Sequence, residues 1–107
     1  MTRGDIVRVA LQGAYGKPRP ALIVQADIFS DHPSVSILPI TSDVRELPAF
    51  RIRLEPSDQN GLKVVSNVMV DKVQSVPRAK LGPVFGRVGR SELQVVDRAL
   101  LVFLGLA

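Results

Sequence analysis

Eight prolines and eight glycines are spread through the 107 residues, and together they cut the chain into short pieces. Proline removes a backbone donor, and both residues break long helices. A chain divided this way builds short strands, so a small β-barrel or sandwich is expected. Ile6 to Leu11 reads as a first strand with Val7, Val9 and Leu11 on one face. Ala21 to Ala26 is almost continuously apolar, as a strand covered on both sides would be. Val35 to Ile40 is a second buried strand, with Pro39 implying an edge or bulge near its end. Phe50, Ile52 and Leu54 alternate with Arg51, Arg53 and Glu55, the pattern of a half-buried strand. Asn60-Gly61 marks a turn. Val64 to Val70 is a further strand, and Asp71 to Val76 continues it or begins the next. Val84 to Val88 is a short edge strand. One helix closes the chain. Leu93, Val96, Leu100 and Phe103 recur at helical spacing, Ser91 with Gln94 offers a capping box, and Gly105 is the expected stop.

Composition narrows the class. At this length one domain, residues 1–107, is expected. Apolar residues make up 46%, enough for a packed core. The absence of cysteine removes disulfides, thiolate metal sites and cysteine nucleophiles together. Met1 to Asp5 is not followed by an apolar signal region, and Ala99 to Leu104 is too short to span a bilayer. A cytoplasmic protein with no membrane association is expected. Fourteen Lys/Arg against ten Asp/Glu leave a net charge of +4. That balance favours an anionic partner, nucleic acid or an acidic protein.

Two segments carry chemistry. In Lys17-Pro18-Arg19-Pro20 an arginine stands between two prolines just before the apolar run from Ala21. In Leu38-Pro39-Ile40-Thr41-Ser42 two hydroxyls follow another. A guanidinium presents a rigid fork of donors to phosphate and stays charged. A hydroxyl fixes a phosphate oxygen. An arginine and a threonine at neighbouring strand ends suit gripping and cleaving a phosphodiester. The glycine spacing matches neither a P-loop nor a dinucleotide fingerprint.

Five segments occur in order: Arg3-Gly4-Asp5-Ile6-Val7, Lys17 to Gln25, Leu38 to Ser42, Asn60-Gly61-Leu62-Lys63 and Val70-Asp71-Lys72-Val73. With Lys80-Leu81-Gly82 to Gly86-Arg87 and the closing helix, they resemble the MazF/PemK (Kid) growth-inhibitor family from Arg3 to Leu106. The resemblance implies a mainly β fold, a small SH3-like β-barrel of the CcdB/Kid/MazF kind with a C-terminal α-helix. It implies a homodimeric toxin that cleaves single-stranded RNA at specific sequences, with no metal or other cofactor. The products would be a 2′,3′-cyclic phosphate and a 5′-hydroxyl. It also implies a cognate antitoxin, MazE-like, whose acidic disordered tail blocks the site.

Residue by residue, Arg19 and Thr41 match the family's catalytic arginine and threonine. Ser42 is a candidate helper, and Asp71 would orient Arg19, contact RNA or simply end a strand. In the Kid branch an arginine two residues before that aspartate takes part in catalysis; here the position is Met69. The lone histidine, His32, belongs to no motif and reads as a solvated loop residue. Lys17, Gln25, Tyr15, Arg51 and Arg53 are candidate RNA contacts, Tyr15 by stacking on an unpaired base. Two other readings stand beside the nuclease: a CcdB-like poison that traps DNA gyrase without chemistry, and an inactive toxin that still binds antitoxin.

Overall fold

The computed structural model describes residues 1–11 and 17–107. Its strands are β1 (Asp5–Ala10), β2 (Pro18–Ile23), β3 (Ser34–Thr41), β4 (Arg51–Leu54), β5 (Ser66–Met69), β6 (Gln74–Pro77) and β7 (Leu81–Arg87), followed by one helix, α1 (Arg90–Phe103). The strands pair antiparallel in the order β4-β5-β3-β2-β1-β7, and β6 also lies on β3. The expected mainly β fold with a terminal helix is present. The bent sheet does not close into a hydrogen-bonded barrel, because β4 and β7 are its free ends among the described residues.

β3 is the hub. One edge pairs with β2 over Ile37 to Pro39; the other pairs first with β6 over Ser34 to Ile37 and then with β5 over Ile40 and Thr41. Pro39 falls between those last two partners. Its missing N–H therefore costs no ladder bond on that side, so the proline marks a change of partner, not an edge. β2 begins earlier than its apolar run suggests, so Arg19 lies within the strand, opposite Val9. From Pro18 to Pro20 the strand pairs only with β1, and β3 joins from Ala21 onward. A one-sided ladder accommodates both prolines.

Strict alternation divides the core in two. Ile6, Leu22, Leu38 and Ile40 face one cluster with Ile52, Leu54, Val68 and Val96. Val7, Val9, Ala21, Ile23, Val35, Ile37 and Val76 face the other, with Leu11 packed against it. Leu93, Ala99 and Leu100 bring α1 onto the first cluster, and Phe103 packs beside Phe50 with ring centroids 6.2 Å apart and planes tilted by 51°. The helix starts just ahead of the expected cap: Gly89 is the N-cap, and the Glu92 carboxylate accepts its N–H at 2.8 Å. The Ser91–Gln94 box is not used, because Val88 N–H bonds Gly4 O and aims the chain into the helix earlier. Gly105 ends it as expected: at φ +76° its N–H meets Val102 O, and Leu106 N–H reaches Leu101 O.

The N-terminal Arg3-Gly4-Asp5 fastens these layers. The Arg3 guanidinium donates to both oxygens of Asp97 on α1, at 3.0 and 2.5 Å, and its Nε donates to Val24 O. Asp5, 7% exposed, accepts from Arg87 on β7. No helix among the described residues is long and apolar enough to cross a membrane.

Candidate active site

β1 and β3 finish, and β2, β5 and β7 begin, at one end of the sheet. An open groove of about 640 Å³ lies across these ends. Arg8, Arg19, Thr41, Ser42, Lys63 and Phe85 border it, among others. The structure thus brings the Arg19 and Thr41 segments to one place. By alternation Arg19 shares a sheet face with Val9, whereas Arg8 lies opposite Pro20 on the other face. The groove wraps the strand ends, so both arginines reach it.

Thr41 closes β3 opposite Asn67 of β5. Its hydroxyl oxygen accepts the Asp43 N–H at 3.1 Å, which leaves the hydroxyl proton free to donate. Asn67, 1% exposed, accepts the Arg45 N–H at 2.6 Å and so ties down the loop after Thr41. Ser42 is exposed at the groove's rim. Asp43 is the one carboxylate among the described lining residues, and Arg45 holds its Oδ2. Arg19 is exposed and has no ion pair among the described residues. Its forked donors are therefore available to an anion.

Asn60-Gly61-Leu62-Lys63 shapes the opposite wall. The buried Asn60 donates to Glu55 O and accepts from the N–H groups of Ser57 and Leu62. Gly61 has φ +69°, and a Cβ there would stand 2.6 Å from the Phe85 carbonyl oxygen. This close approach seats the Phe85 ring at the groove, where the Arg8 guanidinium carbon lies 4.6 Å from its centroid. Met69 also lines the wall, so the groove is apolar where the Kid branch carries arginine.

Other candidates lie elsewhere. Asp71 follows β5 in a 3₁₀ turn and accepts from Arg51 at 2.8 and 3.1 Å, so its partner is Arg51 and not Arg19. That hydrogen bond lowers the Asp71 pKa and raises that of Arg51. Arg53 pairs with Glu55. The Gln25 carboxamide is spent on backbone groups of Phe29, Ser34 and Ser36. His32 accepts from Ser34 N–H, away from the groove. Lys17 is exposed just before β2. Tyr15 lies outside the described residues. Arg8, Phe85 and Asn67 carry no signal of their own in the sequence, and Lys63 appears there only as part of a motif. Only the Asn60–Lys63 motif drew attention to this wall.

Comparison with known proteins identifies the family. Residues 2–104 match the model of the PemK-like, MazF-like toxin of type II toxin–antitoxin systems. A probable endoribonuclease MazF from Mycolicibacterium smegmatis is 49% identical over 108 residues, covering 100% of this chain and 99% of the relative. The solved Mycobacterium tuberculosis toxin MazF-mt6 superposes with a TM-score of 0.83 at 27% identity, covering 96% of this chain and 98% of that one. A mycobacterial endoribonuclease in complex with its cognate antitoxin gives 0.82 at 26% identity, covering 100% and 97%. The chain belongs to the PemK-like, MazF-like family of type II toxin–antitoxin toxins.

Proposed function

We propose that this toxin is a sequence-specific endoribonuclease that cuts single-stranded RNA in the groove at the strand ends, with Arg19 and Thr41 as its catalytic residues. The observation that carries this is that one open groove holds an uncommitted guanidinium and a hydroxyl with its proton free. The RNA 2′-oxygen attacks the neighbouring phosphorus and loses its proton. The bond from phosphorus to the 5′-oxygen breaks, and that oxygen gains a proton. A 2′,3′-cyclic phosphate and a 5′-hydroxyl result. Negative charge grows on the phosphoryl oxygens as the pentavalent centre forms, and the Arg19 fork stabilises it. Thr41 donates to one of those oxygens and fixes the phosphate, with Ser42 beside it as a second donor.

A single toxin domain acting as a homodimer in the cytoplasm is the form proposed. The partner is a cognate antitoxin whose acidic tail competes with RNA for the same cations. Of the relatives named above, one is described as a probable endoribonuclease and one as an endoribonuclease, which favours cleavage over the gyrase-trapping and inactive readings.

The test is digestion of a long mixed-sequence RNA by purified protein in EDTA, with both new ends mapped. Wild type should cut at one short motif and leave cyclic phosphate. Arg19→Ala and Thr41→Ala should each lower kcat about 100-fold or more. Full activity in both variants would displace the site, and an inert, folded wild type would overturn the activity.

A further inference from the structure

The Arg8–Phe85 pair is a built feature that the cleavage step leaves unused. Phe85 packs against the first core cluster and is pinned by the Gly61 backbone. Its ring supports the Arg8 guanidinium at 4.6 Å. Arg8 is exposed, borders the groove, and has no ion pair among the described residues. Surface arginines without acidic partners ordinarily sample many rotamers. Here the ring holds the guanidinium over its face and so removes part of the entropy that binding would otherwise cost.

We propose that Arg8, backed by Phe85, is a nucleobase subsite that stacks an unpaired base next to the scissile phosphate. A guanidinium plane stacks on bases as aromatic rings do, and single-stranded RNA is held chiefly through such platforms. Position supports the pairing with cleavage. β1 and β2 are neighbouring strands, about 4.8 Å apart. Arg8 stands opposite Pro20, one residue from Arg19. Their side chains leave opposite faces of the sheet, but both border the one groove that wraps the strand ends, and a nucleotide adjoining the phosphate held by Arg19 lies along that groove toward the shelf. The groove that both residues border also has apolar lining from Pro20, Ile40, Leu62 and Met69. Such a surface receives a base face better than a second phosphate. Arg8 is then a binding residue and Phe85 a positioning residue acting through it.

This inference rests on the nuclease reading, and its test separates the two. Short RNAs carrying the mapped cleavage motif are made intact and with one abasic nucleotide at each position flanking the cut. Wild type, Arg8→Ala, Arg8→Lys and Phe85→Leu are compared by kcat/KM, with thermal melts confirming that each is folded. In wild type one flanking abasic position should cost about 10-fold or more. Arg8→Ala should lose a similar factor on intact RNA, mainly in KM, and no further factor on that abasic RNA. Arg8→Lys keeps the charge and loses the plane, so it should resemble Arg8→Ala. Phe85→Leu should fall between the two and wild type. If Arg8→Lys equals wild type, or every abasic penalty survives in Arg8→Ala, the shelf is a charge site or a surface feature and the inference is overturned. If wild type cuts no RNA at all, the nuclease reading falls first and the subsite falls with it.

Discussion

Arg51 and Asp71 stand 20 residues apart in sequence yet make two hydrogen bonds across β4 and the turn after β5, with 15% and 18% of their side chains exposed. Partial burial strengthens the pair, and it also makes removal of one partner costly. Asp71→Asn should lower stability by about 1.5–3 kcal/mol near neutral pH, read from urea unfolding. The sign with pH follows from the lowered carboxyl value. The pair's contribution is fully present above the ordinary carboxylate range, about pH 4, and disappears as pH falls through the lower folded value. The gap between wild type and variant should therefore narrow in acid; a constant gap would show that the ionised pair contributes nothing. Such a pairing was not legible in the sequence, where Arg51 and Arg53 look alike on an alternating strand. Arg8 was hidden for a related reason. It is the polar residue between Val7 and Val9, and a solvated strand position reads the same way. Arg19 and Thr41 could be singled out as candidates because their motifs set them apart, not because their contacts were visible.

The Asn60–Lys63 turn and β7 meet backbone to backbone, and this contact positions the groove's aromatic wall. A Cβ on Gly86 would overlap the Asn60 carbonyl, whereas one on Gly82 would stand 3.2 Å from the Arg8 carbonyl oxygen. Neither Asn60 nor β7 can shift alone, since Arg87 N–H bonds Gln59 O and Asn60 is bonded on three sides. Gly86→Ala should therefore cost about 3 kcal/mol or more, and Gly82→Ala nearer 1 kcal/mol, in matched denaturant melts. Equal losses would mean that the turn gives way easily. At this scale the sequence showed most elements, because alternation and turn residues are local signals. The early start of β2, the partner change at Pro39 and the open sheet were not visible, since each depends on which strand lies alongside. The helix cap was missed narrowly for the same reason: Gly4, far away in sequence, sets where α1 begins.

For the whole molecule, the net charge of +4 matters less than where its uncommitted part lies. Arg3, Arg45, Arg51, Arg53 and Arg87 are each paired with a carboxylate. Arg8, Arg19 and Lys63 border the groove and have no such pair among the described residues. Three of the nine Lys/Arg without such a pair among the described residues thus gather at the groove where the phosphodiester must sit. Binding of a single strand releases counterions in proportion to the phosphates neutralised, with a slope of about −0.7 in log K against log salt for each. An RNA with a 2′-deoxy nucleotide at the cut cannot react and reports binding alone. Lys63→Ala should reduce the magnitude of its salt slope by about 0.7, and Arg98→Ala, on the exposed face of α1, should leave the slope unchanged. If the two substitutions flatten the slope equally, RNA is held by diffuse surface charge, and the groove loses its claim to be the place where the strand lies.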